Sequence, residues 1–278
     1  MTATHPERPV STAFDRGRHV RFGDIAAAEW TKLRSVRSTV WSLCALVVVT
    51  VGLTALVTAV TMANWDASSH ADRASLLADR TGFLVPVLAL GQLPICVLGV
   101  LVATGEYATG TIRASVLATP RRTPILVAKA AVFASVTLVI GEVVGFAAFG
   151  TGQALIAPHI PVSLHDLGVL RAVVGTGLYL AVLGLFGLGV GALFRHGAAA
   201  ITTVIGLVLV LSQLAHLLPG SLGEHVAGYL PANAGARITS VGGGADQVLS
   251  PWQGFGVLGL WTAVVLGVAA YRFRRRDV

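Results

Sequence analysis

Six long apolar stretches, at residues 40–62, 83–104, 125–150, 170–194, 198–218 and 255–271, are set apart by polar connectors. A hydrocarbon core about 30 Å thick is crossed by about 20 apolar residues of helix, so each stretch can be tested against that length. Five meet it, and the last reaches it by borrowing residues 252–254. The runs are continuously apolar and lack the period-two alternation of a transmembrane barrel strand, so they are predicted to be helices. Composition agrees: 54% hydrophobic residues, 12% charged residues and a mean hydropathy of +0.77 leave too little polar surface to cover a soluble globule of 278 residues. The predicted fold is an all-α, polytopic membrane protein with six transmembrane helices.

Charge then orients the helices. Sixteen of the 20 Lys and Arg lie before the first stretch, between the second and third or, for Lys129, near the start of the third, between the fourth and fifth, or after the sixth; only Arg73, Arg80, Arg237 and, at the start of the fourth stretch, Arg171 lie toward the other side. Positive charge in short loops is retained inside, so both termini are expected to be cytoplasmic. Basic flanks facing anionic lipid headgroups account for the net charge of +7, and no nucleic-acid partner is expected. Eighteen Arg against two Lys, with a heavy Ala, Val and Gly load, suggests a high-GC bacterial genome and hence a bacterial plasma membrane. The first forty residues hold no core like that of a signal peptide, so the first span is expected to direct insertion. Cys44 and Cys96 match no metal spacing and read as small apolar fillers.

Candidate chemistry is sparse. No Gly-rich phosphate loop ending in Gly-Lys-Ser or Gly-Lys-Thr occurs, and no His-Glu-x-x-His pair, so neither catalysis nor a metal is expected on this chain. His216 is the one histidine that falls in a span, where a structural role is favoured over a ligand role. Residues 1–24 read as a disordered tail and 25–39 as an amphipathic interfacial helix, with Ile25, Ala28, Trp30, Leu33 and Val36 among charged neighbours; 40–278 form the six-span domain. The connector 105–124 is punctuated: Glu106 ends span two, Gly110-Thr111 breaks the chain, a short helix carrying Ile112, Val116 and Leu117 closes at Thr119-Pro120, and Thr123-Pro124 starts span three. A short helix held across two spans is a handle for something outside the membrane.

Three motifs carry a resemblance. Ala28-Glu29-Trp30-Thr31-Lys32-Leu33-Arg34-Ser35 precedes span one, Glu106-Tyr107-x-x-Gly110-Thr111-Ile112-Arg113 follows span two, and Tyr229-Leu230-Pro231-Ala232-Asn233-Ala234-Gly235 precedes span six. With the six-span layout, the chain resembles the permease subunits of ABC-2 type transporters. The resemblance implies a separate ABC ATPase in two copies that holds the ATP and Mg, and a second permease, identical or related, beside this one. It also implies that Glu106, Gly110, Thr111 and Arg113 form the ATPase-facing coupling segment, with Glu29 and Lys32 on the adjacent helix. Re-entrant helices over the pathway are implied for the connector 219–251, where 222–230 is apolar enough to dip into the bilayer and 241–245 is flexible; an ordinary surface loop is the alternative.

Within the spans, Glu142 stands out. It follows Lys129 by 13 residues, about 20 Å up a helix. An ionised carboxylate there costs roughly 2.5–3.5 kcal/mol, so it is expected to face the bundle or a dimer seam, as a pathway or gating contact or as a protonated packing residue. Gly141 and Gly145 flank it at close-packing spacing, as Gly187 and Gly191 do in span four, and all four read as helix contacts. The expected function is export of a hydrophobic or amphipathic substrate such as a peptide, drug or lipid-like molecule. A proton-coupled transporter using Glu142 and a non-transporting membrane scaffold or immunity protein are the alternatives.

Overall fold

The computed structural model describes residues 21–79, 81–108, 110, 122–194, 196–215, 217–242 and 248–275. Expectations for the tail 1–20, for Thr111, Arg113 and the short helix after Gly110, for His216 and for most of 241–245 lie outside the described residues. The described residues form helices and no strands: α1 Phe22–Ser35, α2 Arg37–Ala63, α3 His70–Ala78, α4 Val85–Ala108, α5 Arg122–Ile156, α6 Val169–Phe194, α7 Gly197–Ala215, α8 Ser221–Tyr229, α9 Pro231–Ala236 and α10 Pro251–Arg275. Six are long and apolar enough to cross a membrane: α2, α4 with the turn before it, α5, α6, α7 and α10. They coincide with the six apolar stretches.

The boundaries move where local chemistry overrides hydropathy. The interfacial helix begins at Phe22, because the Asp24 carboxylate accepts the backbone N–H of Arg21 at 3.1 Å and closes the first turn. It ends at Ser35, because Val36 is extended (φ −83°, ψ 111°) and sets the first span off at Arg37. Helix α5 runs to Ile156, past the predicted 150, where the Gln153 amide donates to the Val162 carbonyl at 2.7 Å and Ile156, Ile160 and Val162 are buried together. Helix α10 extends to Arg275, its last turn carrying Arg272, Arg274 and Arg275, which suit the negative end of the helix dipole. Helix α7 ends at Ala215 and is interrupted by a π-helical turn, Gly206–Val210.

Helix α6 is the hub, and its glycines explain why. Distributed at helical spacing, they let neighbours approach on several sides. A Cβ on Gly187 would lie 2.6 Å from the Cys96 carbonyl oxygen, and one on Gly191 2.9 Å from that of Val100, so this face meets α4. Gly177 meets the backbone of α5 at Glu142, and Gly189 meets Val265 and Leu266 of α10. Phe133, Leu180, Leu183 and Phe186 fill the space between, all buried. Polar contacts also cross this core: the Tyr179 hydroxyl donates to Gln92 Oε1 at 2.7 Å, and the Thr262 hydroxyl of α10 to the Val182 carbonyl at 3.4 Å. Helix α2 turns a stripe of Thr50, Thr54 and Thr58 inward, while Trp41 and Val48 face out at 74% and 71% exposure.

At the end of the bundle away from α1, the connector before α10 forms α8 and α9. The segment that enters between spans is 231–239, one motif later than the apolar run 222–230. Pro231, Ala232, Ala234 and Ile238 are buried, and Gly254 and Gly175 receive their backbone, whereas Leu222, Val226 and Tyr229 of α8 are exposed. Small residues, not bulky apolar ones, allow this close seating.

Candidate functional site: a four-charge junction beneath the first helix

Helix α1 buries one stripe, Ile25, Glu29 and Leu33, spaced by four; Phe22 and Trp30, each half exposed, point away. A carboxylate in the middle of a buried stripe requires cationic partners. Two arrive. Lys32 Nζ, one turn further along α1, donates to Glu29 Oε1 at 2.7 Å and to Glu106 Oε1 at 2.7 Å. Lys129 Nζ, from the start of α5, donates to Glu29 Oε2 at 2.6 Å and to Glu106 Oε1 at 2.9 Å. Two negative and two positive charges therefore close a neutral ring that binds α1, the last turn of α4 and the second turn of α5.

Burial grades the ring. The side chains of Glu29, Lys129 and Glu106 are 5%, 9% and 10% exposed, while that of Lys32 is 39% exposed and marks the water edge. Burial pulls the Lys32 pKa down, but hydrogen bonds and charge from Glu106 and Glu29 together outweigh it and hold the ammonium above its usual range. Glu106 lies near the carboxyl end of α4, where the helix dipole disfavours an anion, so the lysines also offset that cost.

The expected site residues thus divide. Glu29, Lys32 and Glu106 come together, turned toward one another. Gly110, two residues past α4, is exposed and adopts φ +70°, the left-handed conformation that glycine takes at the end of a helix. Thr111 and Arg113 lie outside the described residues. Glu142 is remote from the ring, part-way along α5, its carboxyl set over Gly177; its Oε2 is buried and has no hydrogen-bond partner. A Cβ on Gly141 would lie 3.0 Å from the Gly177 Cα, and one on Gly145 2.8 Å from the Val173 carbonyl oxygen, so this face of α5 meets α6.

Lys129 is the member that sequence reasoning passed over as a boundary marker. The signal was available: the chain has two lysines against eighteen arginines, and both sit in this ring. A compact ammonium with three donors can bridge two carboxylates where a planar guanidinium fork is built for one. Beside the ring, Leu33, Val36, Leu101 and Val102 line a cavity of about 420 Å³ between α1, α2 and α4, into which Lys32 and Glu106 also face.

No curated protein matches the chain. Residues 25–278, from the start of the buried stripe of α1 to the last residue, match the profile described as ABC-2 family transporter protein. With six helices able to cross a membrane, the chain belongs to the ABC-2 family of transporter proteins and is a multi-pass membrane permease.

Proposed function

We propose that this chain is the non-catalytic membrane subunit of an ATP-driven exporter in a bacterial plasma membrane, with both termini cytoplasmic. A separate ATPase, in two copies, binds ATP and Mg and docks against the connector after α4; a second permease, identical or related, completes the pathway. The substrate is hydrophobic or amphipathic. The observation that supports this reading most directly is the charge ring. The connector leaves α4 two residues after Glu106 and re-enters α5 seven residues before Lys129, so a push on it acts on the two helix ends that the ring ties together and to α1. An unlinked connector would dissipate the push in local bending. Through the ring it displaces three helices as a unit, which is what a lever between ATPase and pathway requires.

The test is to tag the chain in its native host, extract it in mild detergent and identify what accompanies it. The expected partner is an ATPase with a phosphate-binding loop, lost on Arg113→Glu while the chain stays in the membrane at normal abundance. Repeated purification without an ATPase would overturn the proposal.

A further inference from the structure

At the end of the bundle opposite the charge ring, a cavity of about 450 Å³ opens between the start of α4 and the α8–α9 segment. Most of its wall is apolar, from Leu84, Leu88, Ala227, Val248 and Leu249, with one cation among the described residues, Arg237. The stem and backbone of Arg237 are held in place from several directions. Its stem lies against Gly254, where an added Cβ would come within 3.0 Å of Arg237 Cβ and Cγ. Its backbone belongs to the buried turn Arg237–Thr239, which is pinned by Arg171 Nη2 donating to the Ser240 carbonyl at 2.9 Å and by the Val241 N–H donating to Thr81 Oγ1 at 3.1 Å.

Fixed in this way, Arg237 Nη2 is buried and has no hydrogen-bond partner. The acids that line the same cavity do not reach it. Asp79 Oδ1 accepts from the backbone N–H and the hydroxyl of Thr81, at 3.1 and 2.9 Å, and Glu224 stands exposed. Among the described residues the ion pairs all fall in the distant ring. The contrast with Lys32 is instructive: carboxylates outweigh the effect of burial there, whereas burial alone acts on Arg237 and draws its pKa down. A guanidinium remains charged through that shift and seeks an anion whose oxygens match its fork.

We infer that this cavity binds an amphipathic molecule with a singly negative head, a phosphodiester or carboxylate, seating the head on Arg237 and the first carbons of its tail against Leu84, Leu88 and Leu249. The volume suits a head with a short apolar stem. Asp79 and Glu224 select against a second negative charge on the ligand. The exposed apolar residues of α8, Leu222 and Val226, give the tail a path to the bilayer. A membrane lipid and a transported amphiphile share this chemistry, and the site stands whether or not the chain moves a substrate.

The test uses the full chain purified in neutral maltoside detergent, with thermal unfolding read against rising dodecanoate, dioctanoyl phosphatidylglycerol, dioctanoyl phosphatidylcholine and dimethyl phosphate. The two anionic amphiphiles are expected to raise the unfolding temperature saturably. Arg237→Gln should weaken both at least tenfold, Arg237→Lys should retain binding, and Leu88→Trp, which fills the cavity and leaves the cation in place, should weaken both. Preference for the phosphatidylglycerol assigns the site to a bilayer lipid, and preference for dodecanoate to a transported carboxylate; either order supports it. Equal binding to Arg237→Gln, equal binding of phosphatidylcholine, or equal binding of dimethyl phosphate without a tail would overturn it.

Discussion

Four side chains at one end of the bundle set the terms at the residue scale. Because the ring is neutral and largely buried, its members are not interchangeable with single neutral residues. Lys129→Met leaves Glu29 and Glu106 to share Lys32, which is half in water, and strands a net negative charge between helices. Breaking a buried pair this way costs about 3–5 kcal/mol, and a marked fall in unfolding temperature in detergent is expected. Glu106→Gln introduced together with Lys129→Met restores neutrality, with Glu29 still paired to Lys32 within α1 at 2.7 Å. The double variant should therefore be more stable than Lys129→Met alone, with a coupling of about 1–3 kcal/mol in the double-mutant cycle. Simple addition of the two losses would show that the four charges do not act as one unit. Glu142 is the counter-example: its carboxyl lies over Gly177 of α6, and no ion pair among the described residues includes it, so it stands outside this unit.

Among elements, α6 decides the packing, through what its glycines and those of its neighbours leave out. A methyl on Gly99 would fall onto the Gly184 carbonyl oxygen and within 2.8 Å of the Leu188 nitrogen, and backbone atoms cannot step aside as a flexible side chain can. Gly99→Ala and Gly187→Ala should each cost about 1–3 kcal/mol by forcing α4 and α6 apart. Gly52→Ala and Gly259→Ala meet nothing within 4 Å and should be neutral or stabilising by about 0.5–1 kcal/mol, since alanine is the better helix former. Equal losses at all four positions, measured by thermal unfolding, would refute the assignment of α4–α6 contact to these glycines. Here the sequence was partly legible. Hydropathy located every span because length and apolarity are local properties, and the spacing of Gly141 with Gly145 and Gly187 with Gly191 marked faces without telling which neighbour each would meet. Hydropathy did not mark 231–239, which seats between helices, because such seating is won by small residues that permit approach, which a hydropathy reading scores as weak. Lys129 was missed because its signal lay in the composition of the whole chain, two lysines among 20 basic residues, while an ion pair between positions 29 and 129 leaves no mark in a local window.

For the whole molecule, the division of charge between the two ends predicts how the protein sits in its membrane. Among the described residues, the end that carries the ring also carries Arg21, Arg34, Arg37, Arg272, Arg274 and Arg275, and Arg274 Nε donates to Thr123 Oγ1 at 2.8 Å, joining the carboxyl end of α10 to the start of α5 on that side. The other end offers the connectors α2–α4, α5–α6 and α7–α10, whose sequence holds only Arg73, Arg80 and Arg237, with Arg171 in the first turn of α6. Retention of positive loops inside predicts that the ring faces the cytoplasm and the Arg237 cavity faces out. The orientation can be read by labelling single cysteines in intact cells, after Cys44 and Cys96 are replaced by Ala. Leu167→Cys, at a position 96% exposed on the α5–α6 connector, should react with a membrane-impermeant maleimide added outside. Arg34→Cys, exposed on α1, should react only after the cells are opened. The reverse pattern would invert the molecule, placing the connector after α4 outside the cell, beyond the reach of any ATPase, and would remove the lever reading along with the topology.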